Sequence, residues 1–373
     1  MIHIAIGTKA QFIKMASIVK ELDRRRLNYN LIDLGQHSLI SAELIKEFDL
    51  RAPDVYLSRG SNISRLGQGF FWTIRLIAKG FDVKKLKREV FRNCGGVCLI
   101  HGDTVSTILA LFLAKMAGVK VAHVEAGLRS YNIFEPFPEE IVRRIVMRYS
   151  DILFAPSEWA KDNLSKMGYA SKMVLISANT SMESTLFSLN QPVVKDLNLP
   201  DKFALFTIHR MENVFSKKKL SMVVEFIERI SVDLPVVFVQ HQPTINALVK
   251  FGLQDRLKEV QRIIFFTILS HQSFIHLLND CEFIVTDGGS IQEESYYLNK
   301  PCLLLRKRTE RMEGIDGNVI ISEFKIDAMM DFVRRHKEFR NKDIDLLDSK
   351  PSAEIVECLV QRDMSRNIPG ASS

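Results

Sequence analysis

The chain has 373 residues, 46% of them hydrophobic and 25% charged, and a formal net charge of +7. That length is too great for one ordinary hydrophobic core and implies two domains with ample apolar material. No apolar stretch reaches the ~20 residues that span a bilayer, and the basic residues are scattered without a long tract, which argues against a membrane span and against nucleic-acid binding.

The start of the chain lacks the charged-then-apolar layout of a signal peptide and reads as a first strand, so a cytoplasmic protein is expected. The five cysteines, Cys94, Cys98, Cys281, Cys302 and Cys358, are odd in number and show no paired CxxC spacing. Neither a disulfide framework nor a metal site is expected; reduced thiols in the core are the simpler reading. The basic clusters Lys84–Arg88 and Lys217–Lys219 are read as solvated helix faces.

Short apolar runs recur along the chain, each followed by a helical pattern. In the first half they are Ile2–Gly7, Tyr29–Gly35, Val97–Gly102, Val119–Val124, Ile152–Ala155 and Met173–Ile176. In the second half they are Phe203–Ile208, Pro235–Gln240, Ile263–Ile268, Phe283–Thr286, Cys302–Leu305 and Asn318–Ile321. Strands alternating with helices imply an α/β protein of two doubly wound, Rossmann-like domains facing across a cleft. The expected division is an N-terminal domain over 1–180, a C-terminal domain over 200–350, a helix over 351–366 that packs back on the N-terminal domain, and a disordered tail over 367–373.

Ligands of such sheets bind beyond the carboxyl ends of the strands, so those ends hold the candidate site. The first strand runs into Gly7-Thr8-Lys9, with Lys14 one turn later; a helix start with added positive charge suits an anion. The third and fourth strands deliver Asp103 and Glu125. Asp103 is equally explained as an N-cap, whereas glutamate caps poorly, so Glu125 is a candidate acid or base. His101 and His123, just before them, are read as hydrogen-bonded core residues.

Pro138 is placed to open a helix with Glu139 and Glu140 in its first turn and Arg143 one turn on, which alone would be a surface ion pair. The next cluster, His209-Arg210-Met211-Glu212-Asn213, follows a strand, and His209 there has the strongest claim of any histidine to catalysis. Asp287-Gly288-Gly289-Ser290 joins a strand to a helix as a phosphate cradle, with Glu293 or Glu294 able to accept from ribose hydroxyls. The basic loop Arg306–Gly314, with Arg311 in it, suits further phosphate contacts; otherwise it is a solvated charged loop.

Together these segments resemble the non-hydrolysing UDP-N-acetylglucosamine 2-epimerase family, whose fold is GT-B-like. The matching stretches are HGDT (101–104), HVEAGLRS (123–130), PFPEE (136–140), HRMEN (209–213), GGSIQEE (288–294) and TERMEG (309–314), in the family's order. The resemblance implies inversion at C2 of a UDP-N-acetylhexosamine by elimination and re-addition of UDP, for a surface-polysaccharide precursor. It implies no metal and no redox cofactor, and a homodimer. It places Asp103, Glu125, Glu139, Arg143 and His209 around the sugar and its leaving phosphate, and Lys9, Lys14, Ser290 and Glu294 on UDP.

The chain departs from the family pattern in four places. The usual Gly-Thr-Arg-Pro-Glu is Gly7-Thr8-Lys9-Ala10-Gln11, and lysine lacks the guanidinium fork. Val142 replaces an asparagine, and Asp287-Gly288-Gly289-Ser290 moves a hydroxyl by two places. Gln36-His37-Ser38 replaces a Gln-His-Arg allosteric stretch, so allosteric control by substrate is not expected. Rival readings are a hydrolysing 2-epimerase, a GT-B glycosyltransferase and a nucleotide-sugar-binding protein without turnover. The apolar stretch Phe70–Phe81, punctuated by Arg75 and Lys79, would supply a peripheral membrane face for a transferase; a buried or dimer-forming helix is the simpler expectation.

Overall fold

The computed structural model describes every residue except 37, 59–65, 134–137, 193–196, 268, 341–347 and 365–373. The chain forms two compact units: residues 1–184 together with the segment from 349 onward, and residues 185–348.

The first unit holds a parallel sheet of β1 (Ile2–Ile6), β2 (Tyr29–Asp33), β3 (Val55–Tyr56), β4 (Val97–His101), β5 (Lys120–Val124), β6 (Ile152–Ala155) and β7 (Met173–Leu175). Their order across the sheet is β3-β2-β1-β4-β5-β6-β7, so the winding reverses between β1 and β4. The second unit holds β8 (Ala204–Ile208), β9 (Val236–Gln240), β10 (Ile263–Phe266), β11 (Phe283–Thr286), β12 (Cys302–Leu304) and β13 (Val319–Ile321). Their order is β10-β9-β8-β11-β12-β13, and its winding reverses between β8 and β11. Helices cover both faces of such sheets, which is why the strands read as almost continuous apolar runs.

Strands form where the apolar runs predict them, with ends shifted by a residue or two. The exception is β3, a two-residue strand at the sheet edge whose register to Ile32 and Asp33 comes from pairing alone. So short a segment carries no periodicity to detect. Cys98, Cys281 and Cys302 are fully buried, and burial pushes their thiols up to about 12. These thiols therefore stay protonated and pack as small apolar groups.

The helix Leu66–Phe81 buries Trp72 and Leu76, and Trp72 Nε1 donates to the Leu34 carbonyl at 3.1 Å. Its other face leaves Phe70, Phe71, Ile74 and Phe81 exposed, Phe71 by 73%. A wholly buried helix, one of the sequence expectations, is therefore not what forms. The C-terminal helix Pro351–Met364 lies on the first unit. Glu183 accepts from the Ser352 N–H at 3.1 Å and its hydroxyl at 2.7 Å, Glu354 accepts from Ser177 N–H at 2.7 Å, and Arg25 donates to Glu357 at 2.6 Å. The expected tail over 367–373 lies outside the described residues. Among the described residues, no helix is long and apolar enough to cross a membrane.

Candidate active site

In the first unit the candidate groups gather where the winding reverses. The helix Lys9–Arg24 starts at Thr8 as N-cap, with Gln11 completing a capping box. Gln11 does more than cap. Its Oε1 accepts from Gly7 N–H (2.8 Å), Thr8 N–H (3.1 Å) and the Ser106 hydroxyl (3.0 Å). Its Nε2 donates to the His101 carbonyl (2.8 Å) and to the hydroxyls of Thr104 (3.1 Å) and Thr107 (2.9 Å). One buried amide thus ties the turn after β1, which carries Lys9, to the turn after β4, which carries Asp103.

Adjacent β4 and β5 are paired Ile100 to His123 and His101 to Val124, so Gly102-Asp103 and Glu125 leave the sheet side by side. The N-cap of the helix Val105–Met116 is Thr104, not Asp103. Asp103 instead meets Arg143, whose NH2 lies 2.6 Å from Oδ2. Arg143 is itself buried and also reaches Glu140 at 3.4 Å, so the arginine expected in a surface ion pair belongs to a buried bridge. Glu140 is fully buried and further accepts from Arg129 Nε (2.5 Å) and Ser130 N–H (3.1 Å). Glu139, in the same first helical turn, is partly buried.

Glu125 sits in left-handed backbone conformation, φ 69°, which is unusual for a side chain of this size. Such strain persists only where the surroundings over-determine it. Here the buried Lys14 ammonium pairs with Oε1, and Asn179 Nδ2 donates to the same oxygen at 2.5 Å. His101 Nδ1 stands 3.9 Å from the other oxygen. His123 is wholly enclosed, with Nε2 2.8 Å from the Gly102 carbonyl, and burial lowers its pKa to about 4. It is therefore a neutral part of the sheet.

In the second unit the groups again gather at the reversal. His209 and Arg210 follow β8, and Asp287-Gly288-Gly289 follows the neighbouring β11. Gly288 is the N-cap of the helix Gly289–Tyr297, and Ser290 lies in its first turn. A Cβ on Gly288 would stand 2.9 Å from His209 Cε1, and one on Gly289 3.0 Å from Arg311 Nε. Both glycines therefore let side chains lie close over the cradle.

The loop after β12 is not merely a solvated charged loop. Arg306 and Arg311 are buried, Arg306 pairing with Glu310 at 2.9 Å and Arg311 with Glu293. Lys307 and Arg308 alone of its basic residues are exposed. Glu293 is thus engaged by Arg311, while Glu294 lies 3.3 Å from His271 Nε2. Gln292 Nε2 holds the loop through the carbonyls of Arg311 and Glu313, each at 3.1 Å.

The sequence pattern of the UDP-N-acetylglucosamine 2-epimerase family matches residues 20–359 of this chain. The chain belongs to the UDP-N-acetylglucosamine 2-epimerase family. It is 30% identical to the Methanocaldococcus jannaschii UDP-N-acetylglucosamine 2-epimerase over 91% of this chain and 94% of that protein. It is 31% identical to the Campylobacter jejuni enzyme of the same name over 86% of this chain and 84% of that one. The crystal structure of the M. jannaschii enzyme in complex with UDP-GlcNAc and UDP superposes with a TM-score of 0.83, covering 96% of this chain and 99% of that one. The two Rossmann-like α/β sheets are those of this GT-B-like family, as the resemblance implied.

From the sequence, Gln11, Arg129, Asn179 and Glu310 had no separate role, and Glu140 and Asp287 entered only as parts of their motifs. Gln11, Asn179 and Asp287 act on distant neighbours, Asn179 on Glu125 across 54 positions for instance. Asp287 carried one faint signal, its place at a strand end directly before the two glycines. His37, part of the stretch compared with the family's allosteric site, lies outside the described residues.

Proposed function

We propose that this protein interconverts UDP-N-acetylglucosamine and UDP-N-acetylmannosamine by inverting C2. The reading is supported by family membership and carried by one observation. Two carboxylates, Asp103 and Glu125, leave adjacent strands side by side, each held by its own buried cation. In the reaction a base takes the C2 proton as the C1–O bond to UDP breaks, leaving a 2-acetamidoglucal. UDP then adds back at C1 while a proton reaches C2 from the opposite face. Proton and UDP leave and return, so no electrons are gained or lost, and the chemistry calls for acids, bases and phosphate binders only.

In this proposal Asp103, Glu125 and Glu139 are the proton-handling and sugar-positioning groups. Arg143 holds Asp103 in place, and Lys14 does the same for Glu125 while lending positive charge to the helix start. Lys9, Arg210, Gly288, Gly289, Ser290, Glu294 and Arg311 bind UDP, and His209 meets the leaving phosphate. Asn179 and Glu140 support from behind. We further propose a homodimer formed through the exposed apolar face of the helix Leu66–Phe81, and a cytoplasmic role supplying a surface-polysaccharide precursor. Incubating the protein with UDP-GlcNAc in deuterated water and following C2 by proton NMR tests the reading. Deuterium at C2 with appearance of UDP-ManNAc is expected; no exchange with any UDP-N-acetylhexosamine would overturn it.

A further inference from the structure

Asp287 directly follows β11 and is 0% exposed, yet every hydrogen bond described for its carboxylate ties it to the segment after β8. Oδ1 accepts from the His209 backbone N–H at 3.0 Å. Oδ2 accepts from the Arg210 backbone N–H and from Asn213 Nδ2, both at 3.0 Å. The same carboxylate faces the imidazole: His209 Nδ1 stands 3.4 Å from Oδ1. Nδ1 is buried and makes no hydrogen bond of its own among the described residues, although 35% of the side chain is open, so Nε2 is the nitrogen left to meet a ligand. The ring is bounded on one side by His241, with centroids 4.9 Å apart, and on another by Gly288.

A carboxylate suits this place and an amide does not. Three N–H groups converge on its two oxygens, and an asparagine would turn its own NH2 toward one of them. The position also matters. Asp287 and His209 stand on either side of the point where the winding reverses, where open α/β sheets bind their ligands.

We propose that Asp287 is the positioning residue for His209. It anchors the backbone of the His209-Arg210 turn and directs the Nδ1 edge inward, so that Nε2 faces the substrate in one orientation. This rests on the reading that His209 takes part in the reaction.

The test is a double-mutant cycle on kcat with UDP-GlcNAc, using Asp287→Asn, His209→Ala and the pair together. Asp287→Asn should lower kcat on the order of 100-fold, the scale of a misplaced reacting group, with KM changed by no more than about threefold. Added to His209→Ala, it should lower kcat no further. An undiminished loss in the His209→Ala background would show a structural role and overturn the proposal while leaving His209 in the reaction. A wild-type kcat for Asp287→Asn would overturn it too. A wild-type kcat for His209→Ala would overturn the underlying reading and the proposal with it. Circular dichroism checks the fold; should Asp287→Asn not fold, Asn213→Ala replaces it in the cycle, with the same non-additivity expected and additivity again fatal.

Discussion

Lys14 and Glu125, 111 residues apart in the chain, form a buried ion pair at the carboxyl end of the first sheet. One comes from the helix after β1 and the other from the end of β5, and both side chains are almost fully enclosed. Removing one partner of such a pair strands the other charge, whereas replacing both is far milder. Glu125→Gln should therefore cut turnover to under about one hundredth and also lower the melting temperature. The double variant Lys14→Met/Glu125→Gln should regain most of the stability and none of the activity. Thermal unfolding followed by the C2 exchange assay on the same samples separates the two effects.

The bridge from Asp103 through Arg143 to Glu140 makes a second expectation. A lysine at 143 keeps the charge but cannot point a fork at two carboxylates. Arg143→Lys should leave the protein folded and reduce kcat on the order of 10- to 100-fold. An unchanged rate would mean that Asp103 needs no such holder.

Gln11 holds two turns together with a single amide. Gln11→Ala takes the acceptor from the N–H groups of Gly7 and Thr8, while the His101 carbonyl keeps the Thr107 hydroxyl. Each buried polar group left unmade costs about 1–3 kcal/mol, so the two N–H groups imply a loss of roughly 2–6 kcal/mol in urea unfolding. Gln11→Glu keeps the acceptor side and loses the donor to His101, so its loss should be smaller.

Two buried histidines make stability depend on pH. Burial lowers both His3 and His123 from 6.5 to about 4 in the native state. Between those values the unfolded chain binds protons that the native state refuses, so stability rises with pH from about 4 to 6.5 and levels off above. His123→Gln, which removes one of the two titrating rings, should take away about half of that slope. Urea titrations at a series of pH values measure it.

The exposed apolar face of the helix Leu66–Phe81 is the proposed dimer contact. A charge there should split the dimer without touching the core beneath. Phe71→Asp, at a side chain 73% exposed, should sediment as a monomer and melt with unchanged cooperativity. A variant that sediments as the wild type does would move the contact elsewhere.

The fold was largely legible in the sequence because a strand covered on both faces must be apolar throughout, and the turns between elements carry Gly, Pro and Asn. The runs Val97–Gly102 and Val119–Val124 needed nothing more than that. β3 escaped because two residues at a sheet edge obey no period. The strand-end carboxylates were equally visible, since Asp103 and Glu125 break apolar runs at the place where a sheet binds its ligands.

What each charge does was beyond reach. Sequence spacing set Arg143 one helical turn from Glu139; only the structure brings it to Asp103 and Glu140 as well. Asp103 could equally have been a cap, and Thr104 next to it takes that place. Composition, apolar period and turn residues act locally, so the order of elements and the residues at strand ends follow from the sequence itself. Which carboxylate meets which cation depends on the order of strands across the sheet. That order sets β1 beside β4 and β8 beside β11, and only the folded chain brings Gln11 to His101 and Asp287 to His209.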